Sequence, residues 1–302
     1  MIQTNHLTKR FGETLAVDDL SLDVQEGEVF GFLGPNGAGK TTTVRMLTTL
    51  INPTKGSAVV NGYPILEEPT QVRRTVGILT ETPGMYDNLS AEYNLKIYAR
   101  LYEVKDVNGQ VEKYLRMLGL WDRRFDEAGA FSKGMKQKLA IARALLHEPR
   151  ILFLDEPTAA LDPEAALLVR DFILELRKQG RTIFLTTHNL DEADRLCDRI
   201  AVFKTRLLVL DTPARLRSQL YGRKVVFHLS NPSTRLAEKV RKLPFVQDAK
   251  LIDNKLLVTL DDPEQQNPQV VRALVGWGAD IQFVGELRHS LEDVYLQFVK
   301  RA

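Results

Sequence analysis

The chain has 302 residues, enough for one large domain and a smaller one. Its hydrophobic content of 44%, charged content of 26% and net charge of +2 are those of an ordinary globular protein and give no argument for nucleic acid as a partner. No apolar run approaches the roughly 18–20 residues of a membrane span, and the N-terminal MIQTNHLTKRFG has early charges where a secretory signal has an apolar core. The only cysteine, Cys197, excludes an intramolecular disulfide and is expected to be a buried, inert thiol. The cytosol, or the cytosolic side of a membrane, is the expected location.

Strand-like and helix-like segments alternate to about residue 210, the pattern of an α/β fold. The first clear strand, VFGFL (29–33), runs into GPNGAGKTTTVRML. This stretch holds Gly34-x4-Gly39-Lys40-Thr41, a phosphate loop between a strand and a helix. Gly34, Gly37 and Gly39 let the backbone fold around phosphates with N–H groups inward. The helix start adds positive potential. Lys40 is placed to reach β- and γ-phosphates, and the Thr41 hydroxyl to bind Mg²⁺. Asn36 and Thr42 belong to the same nucleotide-binding stretch.

From about 84 to 148 the strand signal vanishes. EYNLKIYARLY and QVEKYLRMLGLW carry helical periodicity, so a helical subdomain interrupts the α/β core. Its last segment, FSKGMKQKLAIARALL (131–146), spaces Met135, Leu139, Ala142 and Leu146 on one helical face. It begins with Ser132, Lys133 and Gly134, which read as an N-cap and solvated turn or as half of an anion site.

ILFLD (151–155) then delivers Asp155 to a strand's C-terminal end, where open α/β sheets bind ligands. Asp155 is expected to hold the Mg²⁺ water shell, and Glu156 to orient an attacking water and take its proton. TIFLTT (182–187) places His188 in reach of a γ-phosphate. IAVF (200–203) closes the series. Beyond about 216, VVFHL (225–229), a helix near 233–242, VQDAKLI (246–252), KLLVTL (255–260), a helix near 264–276, IQFVGE (281–286) and a helix near 290–300 suggest a small ferredoxin-like α+β domain. His228, His289 and Trp277 are isolated there and are expected to be structural.

The phosphate loop at 34–41, FSKGMKQK, ILFLDEP, AALD (159–162) and TTHNLDEAD (186–194), in this order, resemble the ATP-binding subunit of ABC transporters over about residues 1–215. The SKGMKQK wording and a C-terminal domain ending in SLEDVYLQFV resemble most the ATPases of drug, polysaccharide and lipid exporters. The resemblance implies a P-loop NTPase core of ABC type over 1–215, with the helical subdomain at about 84–148 and an accessory α+β domain over 216–302. It further implies Phe11 stacking on adenine, and Asp162 in a loop that crosses to a partner subunit, where AALDP also reads as an Asp N-cap with Pro at the first helical position. Two head-to-tail copies would each lend Ser132 and Gly134 to the other's ATP. A separate membrane permease would carry a small-molecule, lipid or polysaccharide cargo, with the subunit on the cytoplasmic face.

Two positions depart from the family pattern. Glu81, in GILTETPG, stands where a glutamine contacts Mg²⁺ and the permease, and predicts an altered metal dependence. Phe131-Ser132-Lys133-Gly134-Met135 replaces Leu-Ser-Gly-Gly-Gln, and Lys133 is either an added phosphate contact or a solvated charge. Two rival readings are a soluble ABC-type ATPase working on ribosomes or DNA, and a regulatory subunit that hydrolyses little.

Overall fold

The computed structural model describes residues 1–80, 84–159, 161–221, 223–287 and 290–301. Two compact units divide the chain, residues 1–212 with the end of the chain from 298, and residues 213–297. The first unit runs β1 (Ile2–Phe11), β2 (Thr14–Val24), β3 (Val29–Leu33), α1 (Lys40–Leu47), β4 (Lys55–Val60), β5 (Tyr63–Pro64), α2 (Pro69–Thr75) and β6 (Val76–Leu79). It continues through α3 (Ala91–Leu101), α4 (Val107–Met117), α5 (Lys133–Leu145), β7 (Ile151–Asp155), α6 (Pro163–Lys178), β8 (Thr182–Thr187), α7 (Leu190–Leu196), β9 (Arg199–Lys204) and β10 (Arg206–Asp211).

A six-stranded sheet in the order β10-β9-β3-β8-β7-β6 is parallel except at β10, which pairs antiparallel with β9. Its three central strands are buried at every position, because the continuous apolar runs VFGFL, ILFLD and TIFLTT serve two covered faces. Helix α1 touches β2 and β4 on one side and β7 on the other. Its Val44, Met46 and Leu47 share a core with Phe30, Phe32, Phe153, Phe184 and Phe203. Ring centroids there lie 4.6–5.5 Å apart, so the floor beneath the phosphate loop is packed aromatic carbon.

The second sheet, β2-β1-β4-β5, is antiparallel, and nothing in the sequence pattern announced it. Register shifts between Thr4 and Arg10 break the two-residue alternation of β1, and His6 and Asp19 stand at φ 51° and 54°. Strands β6 and β10 carry no clear strand signal either; β6 is only four residues long, and β10 is half-buried after an exposed Arg206. Between them α3, α4 and α5 form the helical part, capped at their starts by Ser90, Asp106 and Ser132.

The second unit contains α8 (Pro213–Tyr221), β11 (Arg223–Leu229), α9 (Thr234–Arg241), β12 (Val246–Ile252), β13 (Lys255–Leu260), α10 (Pro263–Gly276), β14 (Ile281–Glu286) and, as far as Gln297, α11 (Leu291–Arg301). Its antiparallel order, β12-β13-β11-β14, is the split βαβ arrangement of a ferredoxin-like fold. Val225, Phe227, Val258, Val240, Val270 and Leu274 centre a core of its own. Among the described residues no helix is long and apolar enough to cross a membrane.

Candidate nucleotide site

The site grows from three adjacent strand ends, those of β3, β7 and β8. After β3 the chain turns through Gly37 (φ 80°) and Gly39 (φ 102°) into α1, whose N-terminus no side chain caps. Glycine is required here for space as well as for φ. A methyl group at Gly34 would stand 2.2 Å from the Phe203 carbonyl oxygen, and one at Gly39 2.2 Å from that of Ala16. Lys40 is buried and donates to the Gly34 and Pro35 carbonyls at 2.7 and 3.3 Å. These contacts fold its ammonium over the loop.

At the end of β7, Asp155 accepts from Thr41 Oγ1 at 2.9 Å on one oxygen and from Thr186 Oγ1 on the other. Glu156 turns into the left-handed region, at φ 52°, directly before Pro157. Its carboxylate thereby leaves the strand direction and enters the space above the loop. Its Oε1 lies 3.5 Å from Lys40 Nζ and has no hydrogen-bond partner among the described residues. Its Oε2 lies 2.9 Å from His188 Nδ1 and accepts the His188 N–H at 3.4 Å. The Glu156 N–H is itself tied to the Thr186 carbonyl at 3.0 Å.

These groups face a cavity of about 420 Å³ lined by residues 35–42, Ala16, Glu156, Ala159 and His188. Asn36, Gly37, Gly39, Lys40, Thr41, Thr42, Glu156 and His188 are thus brought together. Gly34 lies just beneath, and Asp155 reaches the site through Thr41. Phe11 does not line the cavity; it ends β1, half-exposed, with Lys9 Nζ 4.9 Å from its ring centroid. Asp162 caps α6, accepting from the Ala165 N–H at 2.8 Å with Pro163 next in line. Ser132 caps α5, accepting from the Met135 N–H at 3.2 Å. Neither it nor Gly134 lines this chain's own cavity, and Lys133 is exposed. Glu81 lies outside the described residues. Cys197 is buried against Gly31, and burial pushes its thiol pKa far up, so it is inert.

Three contributors escaped the sequence reading. Thr186 is buried and braces Asp155. Gln137, buried on α5, donates to the Pro157 carbonyl at 2.8 Å and ties that helix to the Glu156 segment. Glu192 is buried although two acids at a helix start ordinarily face water. For Gln137 the available signal was its place among buried positions of α5; for the other two only closeness to His188 pointed the way.

An ABC transporter family profile matches residues 17–159. The bacitracin transport ATP-binding protein BcrA of Bacillus licheniformis is 34% identical over 99% of this chain and 97% of its own length. The daunorubicin resistance ATP-binding protein DrrA3 of Streptomyces coeruleorubidus is 35% identical over 95% of this chain and 92% of its own. The chain belongs to the ATP-binding subunits of ABC transporters. As an ABC ATPase it binds and hydrolyses ATP. A dimeric ABC cassette in a post-hydrolysis state with ADP and Pi superposes with a TM-score of 0.65 at 25% identity, covering 70% of this chain and 98% of that one. A solved ATP-binding subunit of an ABC transporter gives 0.67 at 32%, with coverages of 72% and 92%.

Proposed function

We propose that two copies of this chain close head to tail on two ATP molecules and drive export through a separate membrane permease. The observation that carries this reading is the meeting of Lys40, Glu156 and His188 over one cavity, with Ser132 and Gly134 absent from it. In that arrangement the loop N–H groups and Lys40 hold the β- and γ-phosphates. Phosphate oxygens compete with Glu156 for Lys40, which leaves Glu156 Oε1 free to accept a proton from the attacking water. His188, hydrogen-bonded to the same carboxylate, fixes the orientation of Glu156 and contacts the γ-phosphate.

The oxygen donors Thr41 and Asp155, already in contact, fit a hard cation that keeps most of its waters. We assign them to Mg²⁺, which when bound neutralises phosphate charge. Among the described residues no group of three or more His, Cys, Asp or Glu gathers as a metal cage, in keeping with a cation held mainly by water and phosphate. The adenine ring is assigned to Phe11, and Glu81 to the loop beside metal and permease.

The second copy's Ser132 and Gly134 complete the γ-phosphate's far side, and its Asp162 loop crosses beside them. Such an isologous interface gives both sites the same two halves. Export, and location on the cytoplasmic face, rest on the likeness to BcrA, DrrA3 and the Nod factor export ATP-binding protein I of Rhizobium, 35% identical over 97% of this chain. A cargo of the drug, lipid or polysaccharide kind would be met by the permease.

The test is steady-state Mg²⁺-ATP turnover with equilibrium ATP binding. Glu156→Gln keeps the shape and removes the base, so turnover should fall by about 10²–10⁴-fold with ATP still bound. Turnover near the wild-type rate would refute the assignment.

A further inference from the structure

The Glu192 side chain is 1% exposed, and its two carboxylate oxygens are shared between two segments. Oε1 accepts from Thr158 Oγ1 at 2.8 Å, and Oε2 accepts from Thr187 Oγ1 at 2.9 Å. Thr158 comes two residues after Glu156, and Thr187 directly precedes His188. The bridge is itself held. The Glu192 N–H donates to Asn189 Oδ1 at 3.1 Å, and Thr187 Oγ1 accepts from the Asn189 N–H at 3.0 Å. One buried carboxylate therefore ties together the two chain segments whose side chains meet at 2.9 Å over the cavity.

Burial raises the Glu192 pKa, as does the charge of Glu156, and the two hydroxyl donors and the positive charge of Arg170 oppose that rise. Burying an acid for packing alone is a poor solution, since an apolar residue of similar volume is commonly neutral or stabilising in its place. The two hydroxyl arms satisfy both oxygens and give the carboxylate a definite geometry, which an apolar side chain does not. Glu192 does not line the cavity, so a ligand there meets its effect only through Glu156 and His188.

We propose that Glu192 is a positioning residue for hydrolysis, a clamp between the segment after β7 and the end of β8 that fixes the spacing of Glu156 and His188. The proposal rests on the reading of Glu156 as the group that activates water. A base displaced by a fraction of an ångström loses rate, whereas the loop that binds phosphate is untouched. The loop and Lys40 carry most of the binding, so the clamp acts on kcat more than on nucleotide affinity.

The full-length chain is assayed for kcat, KM and equilibrium binding of a fluorescent ATP analogue, in wild type, Glu192→Ala, Glu192→Gln, Thr158→Val, Thr187→Val and Glu156→Gln. Glu192→Ala should lower kcat by about tenfold or more with analogue binding within about twofold of wild type. Glu192→Gln, which keeps the volume and one accepting oxygen, should recover part of that loss. Thr158→Val should lower kcat in the wild-type background and add little to Glu192→Ala, since both cut the same connection. The clamp is overturned by unchanged kcat in Glu192→Ala and Thr158→Val, by a loss of affinity equal to the loss of rate, or by fully independent effects in the double variant. Should Glu192→Ala not fold, the isosteric threonine variants decide alone, and wild-type kcat in both overturns the proposal. Inactive Glu156→Gln beside unaffected Glu192 and Thr158 variants removes only the clamp. A fully active Glu156→Gln removes both the clamp and the reading beneath it.

Discussion

Glu156 and Gly134 are the two residues whose backbones matter most to the account, and for opposite reasons. Glu156 holds a left-handed φ of 52° that costs energy for a side-chain-bearing residue and turns its carboxylate toward Lys40 and His188. Gly134 has no positive φ to explain it, and within its own chain a methyl there meets only the Ala165 Cβ, at 3.1 Å. That contact is tight, so the Ala165 methyl must give by a few tenths of an ångström while the added methyl favours the helix. In the proposed dimer Gly134 lies against the partner's γ-phosphate, so Gly134→Ala should change the isolated chain's stability by no more than about 1 kcal/mol, measured by denaturant unfolding, and should still lower ATP turnover. Equal activity would remove Gly134 from the γ-phosphate site; a larger loss of stability would mean it serves its own fold. Asp155, Glu156, His188 and the phosphate loop are legible in the sequence because each follows a short, near-continuous apolar strand. Thr186 and Glu192 are not, because a buried threonine in a strand and an acid in a helix's first turn look ordinary until their partners are seen.

At the scale of elements, the parallel strands announced themselves through runs such as ILFLD, and the C-terminal strands VQDAKLI, KLLVTL and IQFVGE fall where the sequence places them. The N-terminal sheet did not, since bulges around His6 and Asp19 break its alternation and much of its outer face is polar. The link between α5 and β7 carries a carboxylate whose charge is held by its neighbours. Glu148 meets Lys113 at 2.5 Å and also pairs with Arg181. Its burial opposes ionisation, but these two cations overcome that and hold its pKa at about 2, below the ordinary 4.5. A depressed carboxyl stabilises the fold fully above the unfolded value and loses that contribution as pH falls from about 4.5 toward 2. Glu148→Gln should thus lower the melting temperature at neutral pH, modestly because the pair is partly solvated. The difference from wild type should close across that acid range. A difference constant down to pH 2 would show that the charge is not what stabilises the link.

For the whole molecule, the phosphate loop lines one cavity and the Ser132–Gly134 turn lies outside it, and in the proposed dimer these are the two halves of one site. Within the subunit the buried Gln137 side chain runs from α5 to the Pro157 carbonyl beside Glu156. The second unit has its own core, and none of its described residues lines the cavity. The central claim is that a working site takes its halves from two chains, and mixing two dead variants tests it most directly. Lys40→Ala disables the phosphate loop and Gly134→Asp the opposing turn, so each homodimer has no intact site. In a mixed dimer one site joins an intact loop to an intact turn. The mixture should regain ATP turnover, up to about a quarter of the wild-type rate, which is the statistical share of intact sites in a twofold assembly. A mixture as inactive as either variant alone, under conditions where mixed dimers are shown to form, would contradict it.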